Sequence, residues 1–147
     1  MDLARNKKAY FNYQVLETFE AGIVLSGAEV KAAKEGRVTL DGAYVRIQGG
    51  EAWLINATIA RYSKSGADQS NYVPDRNRKL LLTKREIEKI AGSLGQNGLT
   101  VVPLSVYSSR RLVKIKIALA RGKRTIDKRE AIKEKDYRRR LNARVRR

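Results

Sequence analysis

The chain has 147 residues and a formal net charge of +17, with 32 Lys and Arg against 15 Asp and Glu. It contains neither His nor Cys, which removes imidazole general bases, thiolate nucleophiles, disulfides and the usual nitrogen- and sulfur-ligated zinc sites. No apolar run nears the ~20 residues that span a bilayer, so the expected partner is a polyanion, nucleic acid first and an acidic membrane surface second.

Carboxylate chemistry with magnesium survives these exclusions, but it needs acidic residues gathered in a cleft. Glu17, Glu20, Glu29, Glu35, Asp41 and Glu51 are scattered along the chain instead. Neither an enzyme nor a metal or cofactor site is expected. The N-terminus "MDLARNKKAY" has no signal-peptide core, and with the absence of Cys this fits the cytoplasm.

In "YFNYQVLETF" the residues Phe11, Tyr13, Val15 and Phe19 alternate with polar ones, the period-two pattern of a half-buried strand, broken at Leu16 and Glu17. Ser26 and Glu29 then have capping-box spacing, and Gly36 is placed to end the short helix they open. "AYVRIQGGEAWLINATI" reads as a hairpin turning at Gly49-Gly50. From about residue 61 to 77 the chain is polar and aperiodic, as expected of a long surface loop. "RKLLL" is a short strand, and Thr83 and Glu86 repeat the capping box for a second helix with Ile87, Ile90, Ala91 and Leu94 along one stripe. "LTVVPLSVY" and "LVKIKIALA" form a second hairpin through "SSRR". In its last strand Val113, Ile115, Ile117 and Leu119 share one face while Lys114 and Lys116 share the other.

These elements predict an all-β fold for residues 1–121: a six-stranded antiparallel barrel of the oligonucleotide-binding type, with two or three short helices. An open sheet with helices on one side has the same pattern. Tyr10, Phe11, Tyr13, Tyr44 and Trp53 serve either as core or as platforms on which bases stack, and the alternation turns Phe11 and Tyr13 inward. Lys114 and Lys116 are either a solvated strand face or phosphate contacts.

Residues 122–147 form a basic tail, with twelve Lys or Arg against four Asp or Glu. This +8 segment leaves +9 for the rest of the +17 chain. Glu134 and Asp136 each precede an Arg by four residues, and Tyr137, Leu141 and Val145 make a thin apolar stripe. The tail is therefore expected to be disordered when free and helical once it lies on a surface.

"NKKAY", "ETFEAGIVLSGAEVKAAKEG", "PDRNRKLLLTKREIEK", "ALARGKR" and "DKREAIKEKD" occur in this order from Asn6 to about Asp136. In these blocks the chain resembles the small protein B family, the bacterial partners of transfer-messenger RNA. The resemblance implies a six-stranded barrel and a non-enzymatic role in trans-translation, the rescue of ribosomes stalled on messages without a stop codon. It implies binding to the tRNA-like part of transfer-messenger RNA and entry into the vacant A site, with the tail in the decoding centre and the empty message channel. Partners are then that RNA, the ribosome and, through the charged RNA, elongation factor Tu; the chain is expected to be a monomer with no membrane partner. The RNA-binding positions carried over are Asn6, Lys7, Glu20, Leu81 and Lys114, and the decoding-centre positions Asp127, Lys128, Arg129 and Tyr137. Ile126 stands where some members carry a ring, so no ring-stacking role carries over there. A ribosomal structural protein and a general single-strand binder share the basic surface and are the alternatives.

Overall fold

The computed structural model describes residues 2–64, 71–96 and 98–123, together with residue 135 and residues 137–139. Its order is β1 (Asp2–Arg5), α1 (Lys7–Asn12), β2 (Tyr13–Ile23), α2 (Gly27–Lys34), β3 (Val38–Thr39), β4 (Tyr44–Gln48), β5 (Glu51–Ile55), β6 (Thr58–Ile59), β7 (Arg78–Leu81), α3 (Lys84–Leu94), β8 (Leu99–Ser109) and β9 (Leu112–Gly122). Residues 135 and 137–139 are helical.

Both expected capping boxes form. The Ser26 hydroxyl accepts from the Glu29 amide and Glu29 Oε1 from the Ser26 amide, opening α2. Thr83 and Glu86 repeat the exchange at α3. Each box satisfies amides that a helix N-terminus leaves unpaired. Gly49 and Gly50 take φ of 62° and 74° between β4 and β5, the primed turn whose twist matches the strands it joins.

The expected six-stranded closed barrel is corrected to an open sheet. Seven strands run in the order β1-β8-β9-β2-β7-β5-β4, and β3 pairs with β6 in a separate ladder. Among the described residues no ladder joins the ends, β1 and β4. Part of the reason is local: Asn6 turns the chain into α1, so β1 stops after four residues and cannot extend the edge. The same helix takes Lys7–Asn12 out of the strand that the alternation started at Phe11. Phe11 is exposed on α1, and of the inward series only Phe19 is buried. The break at Leu16 and Glu17 is a shift in the β2–β9 register.

Phe19, Leu54, Leu80, Ile90, Ile115 and Ile117 belong to the main core, with α3 laid against it through Ile90. A second, smaller cluster packs Ala9 of α1 on Val102, Leu104, Ala118 and Ala120. β8 is thus covered on both faces from Val101 to Leu104, which accounts for its apolar run up to Ser105. Pro103, with no N–H to offer, sits where the β8–β9 register shifts. At the other end of the hairpin, β9 continues to Gly122, and the Lys123 amide donates to Asn12 O at 2.9 Å. The 121/122 division read from the charge therefore falls inside a strand.

The described residues of the loop before β7 are exposed or half-buried, as expected of a surface loop, and lead into a buried ion pair at the start of β7. Arg78 is fully buried and Glu29 nearly so, at 0% and 1% side-chain exposure, and the two pair at 2.7 Å. Arg78 also donates to the carbonyls of Ala57, Pro74 and Arg76, at 2.9, 2.8 and 3.1 Å. Arg76 pairs with the same carboxylate from the rim, and the Tyr72 hydroxyl lies 3.2 Å from it and 2.7 Å from Ile59 O. Residues 65–70 of this loop lie outside the described residues.

Burial alone would raise the Glu29 pKa, but hydrogen bonds from Arg76, the Ser26 amide and Arg78 lower it to about 2. Since the folded value is depressed, its stabilisation is complete above the unfolded carboxylate range and disappears as pH falls from about 5 to about 2. On the order of 3 kcal/mol is linked to this one group. Arg78→Met, which leaves the buried Glu29 carboxylate with Arg76 at the rim as its remaining cation, should cost about 3 kcal/mol at neutral pH. Urea unfolding will show that loss, and the difference from the parent protein should shrink as pH falls from about 5 toward 2, where the parent loses the stabilisation linked to Glu29; a constant difference would contradict the assignment.

Candidate nucleic-acid interface

The outer face of β1, β8, β9, β2 and β7 is set by ladder registers. Arg5 lies opposite Ser105, Ser105 opposite Lys116, and Lys116 opposite Glu20. In the next row Asp2 lies opposite Tyr107, Tyr107 opposite Lys114, Lys114 opposite Gly22, and Gly22 opposite Leu81. Ladder partners 7 to 105 positions apart in sequence thereby share one surface.

Glu20 is the centre of this face. Lys114 Nζ lies 3.3 Å from Glu20 Oε1. A hydrogen bond from Tyr107, then one from Lys114 and its charge, hold the Glu20 pKa below its ordinary value. Burial, then the same hydrogen bond to Glu20, pushes the Tyr107 hydroxyl well above its own. Near neutral pH the trio is a carboxylate acceptor between a phenol and an ammonium. It can receive a base amine or a 2′-hydroxyl while its cation meets a phosphate.

Two clefts flank Glu20. The larger, about 660 Å³, is bordered by Arg5, Tyr10, Ser105, Tyr107 and Lys116. Here the Arg5 guanidinium lies 5.1 Å from the centre of the Tyr10 ring, a cation–π pair that leaves a flat edge at the groove. The other, about 430 Å³, holds Glu20, Gly22, Leu81, Thr83, Glu86 and Lys114. Leu81 is 55% exposed. It crosses Gly22 so closely that a Cβ at residue 22 would meet Leu81 Cβ at 3.2 Å. Glycine at that point lets an apolar side chain lie flat on the sheet.

The structure thus brings together Glu20, Leu81 and Lys114. Lys7 is exposed on α1, the helix that also carries Tyr10 to the groove. Asn6 is placed differently. It is buried, with Nδ2 donating to Leu40 O and Pro103 O at 3.3 and 2.9 Å and Oδ1 accepting from the Ala9 amide at 3.1 Å. Its backbone amide donates to Leu104 O at 2.8 Å. Both side-chain donors are therefore occupied within the fold. Tyr137 is exposed, and Asp127, Lys128 and Arg129 lie outside the described residues.

Sequence reasoning missed Arg5 and Tyr107. Tyr107 carried a usable signal, since it stands two residues from Ser105 as Lys114 stands two from Lys116, and the hairpin pairs them.

The family model described as SmpB protein matches residues 3–147. The chain belongs to the SmpB family. It is 55% identical to the SsrA-binding protein of Coprothermobacter proteolyticus over 140 residues, which covers 95% of this chain and 93% of that one. The SsrA-binding protein of Persephonella marina is 51% identical, with 95% and 91% covered. Among solved structures, a chain of "tmRNA-SmpB: a journey to the center of the bacterial ribosome" superposes with a TM-score of 0.70 at 43% identity, covering 88% of this chain and 93% of that one.

Because Asn6 caps α1 and ties it to two carbonyls, Asn6→Ala should destabilise the fold by about 2–4 kcal/mol. Chemical denaturation will measure this. A loss under 0.5 kcal/mol would mean that water replaces the carboxamide.

Proposed function

We propose that this chain binds the tRNA-like domain of transfer-messenger RNA on the outer face around Glu20 and carries it to the vacant A site of stalled ribosomes. The observation that carries the reading is membership of the SmpB family over nearly the whole chain. The chemistry of the face supports it: cations at Lys7, Lys114 and Lys116 suit phosphates, Glu20 suits a base amine or 2′-hydroxyl, and Leu81 suits an unstacked base. Asn6 acts from inside, by fixing the helix that carries Lys7 and Tyr10. The role is binding and delivery in the cytoplasm, by a monomer and without catalysis. Elongation factor Tu is reached indirectly, through the charged RNA.

Lys114 and Leu81 give different signatures. Lys114→Ala should weaken binding to the tRNA-like domain and lower the salt slope of log affinity by about 0.7–0.9, the loss of one phosphate contact. Leu81→Ala should weaken it by about 1–2 kcal/mol with the slope unchanged, because the contact is apolar. Filter or fluorescence titrations at several salt concentrations measure both. Unchanged affinity in the two variants would remove this face from the interface.

The tail has a separate task. Residues 122–147 span up to ~85–95 Å extended or ~39 Å helical, enough to enter a channel closed to the sheet domain. Asp127, Lys128, Arg129 and Tyr137 then occupy the decoding centre, while the other cations neutralise ribosomal RNA along the message channel. A chain ending after Lys123, which keeps β9 and its bond to Asn12, should bind the tRNA-like domain within tenfold of the full chain and fail to support peptide tagging. The triple change of Asp127, Lys128 and Arg129 to Ala should behave alike. A scrambled tail of the same composition tests the pattern: tagging at the parent rate would reduce the tail to bulk charge.

A further inference from the structure

The β8–β9 hairpin outruns its neighbours. On one side the β1 ladder stops at Asp2 opposite Tyr107, and on the other the β2 ladder stops at Gly22 opposite Lys114. Beyond that row only β8 and β9 pair with each other among the described residues, Ser108 with Val113 and Ser109 with Leu112. Among the described residues the hairpin end is a short two-stranded finger that runs past the neighbouring ladders and is rooted in the core by Val113.

Its turn consists of Arg110 and Arg111, with φ of 48° and 69°. A two-residue turn with both φ positive is the position where Asn-Gly or Gly-Gly forms without strain, as Gly49-Gly50 does in this chain. A side chain with a long stem in that region is held against its own preference, and such departures gather where a residue is used. Both arginines are exposed, and neither has an ion pair or hydrogen bond with a described residue. Leu112 beside them is 61% exposed. Because β9 alternates, Leu112 lies on the same face as Lys114 and Lys116. The strip from Lys116 to Arg111 measures ~17 Å at ~3.3 Å per residue, several nucleotides long.

We propose that this finger is a second RNA contact, in which Arg110 and Arg111 clamp backbone phosphates next to the segment held at Glu20 and Lys114, with Leu112 against a sugar or base. Guanidinium forks bind phosphate in two-point geometry, and a two-residue hairpin turn presents them side by side with less chain to order than a longer loop has. RNA fits better than an acidic membrane, since a lone exposed leucine is a small anchor and the strip continues the face already assigned to RNA. The inference rests on the proposed function, and the phosphates can belong to transfer-messenger RNA or to ribosomal RNA.

The test uses the full chain with R110N and R111G together, which installs the turn that the backbone prefers. Thermal stability should be equal or higher, so misfolding will not account for lost binding. Affinity should fall about tenfold near 100 mM salt, and the salt slope should drop by about 1.4–1.8, as for two phosphates. Loss toward the isolated tRNA-like domain places the clamp on that RNA; loss seen only with ribosomes places it on ribosomal RNA. Parent-like affinity and slope toward both overturns the finger and leaves the Glu20 face intact. Absence of parent binding to either overturns the functional reading and the finger with it.

Discussion

The buried pairing of Glu29 with Arg78 is the constraint around which the rest of the sheet is arranged. An ionised carboxylate or guanidinium alone in an apolar interior costs several kcal/mol, so neither residue can be placed without the other. Together they tie the first turn of α2 to the start of β7, and the remaining guanidinium hydrogens reach Ala57 O, Pro74 O and Arg76 O. The strand that follows has its register fixed by this anchor. Arg78 and Leu80 face inward, so Leu81 faces outward, over Gly22. A buried ion pair thereby sets the position of an exposed leucine on the outer face.

The outer face applies the same economy with opposite burial. An acid in a cationic groove repels the phosphates around it unless it has another task. Glu20 holds Lys114 and Tyr107 in place and keeps an acceptor at the centre of a donor-rich surface. Lysine and arginine attract any RNA, whereas an acceptor and an apolar patch at fixed positions reward particular bases. Both come from strands rather than loops, so their spacing is set by backbone hydrogen bonds.

The parts legible in sequence were those whose partners lie nearby. The capping boxes at Ser26 and Thr83 each join residues three apart, and Gly49-Gly50 carries its own turn preference. The Val113 to Leu119 alternation survived because a strand with one face on the core shows its period directly. The alternation from Phe11 misled for the same reason it attracted notice: residues 11 and 13 fit period two, yet Asn6, bonded to Leu40 and Pro103, starts a helix there. Of the site, the family motifs pointed to Glu20, Leu81 and Lys114, which do meet, while Arg5 and Tyr107 stayed hidden until strand pairing set them beside Glu20.

By itself the sequence determined the charge, the absence of imidazole and thiol chemistry, most of the strands, two of the helices and the kinship with the small protein B family. Each depends on composition or on interactions within a few residues. The tertiary structure alone decided that Arg78 is core and not surface, that Asn6 is spent inside, that the sheet stays open, and that the β8–β9 hairpin runs past its neighbouring strands among the described residues. Those outcomes depend on desolvation and on ladder registers between residues tens of positions apart, and the free energy of a buried charge or an unpaired strand end exists only once the chain has brought its partners together, or failed to.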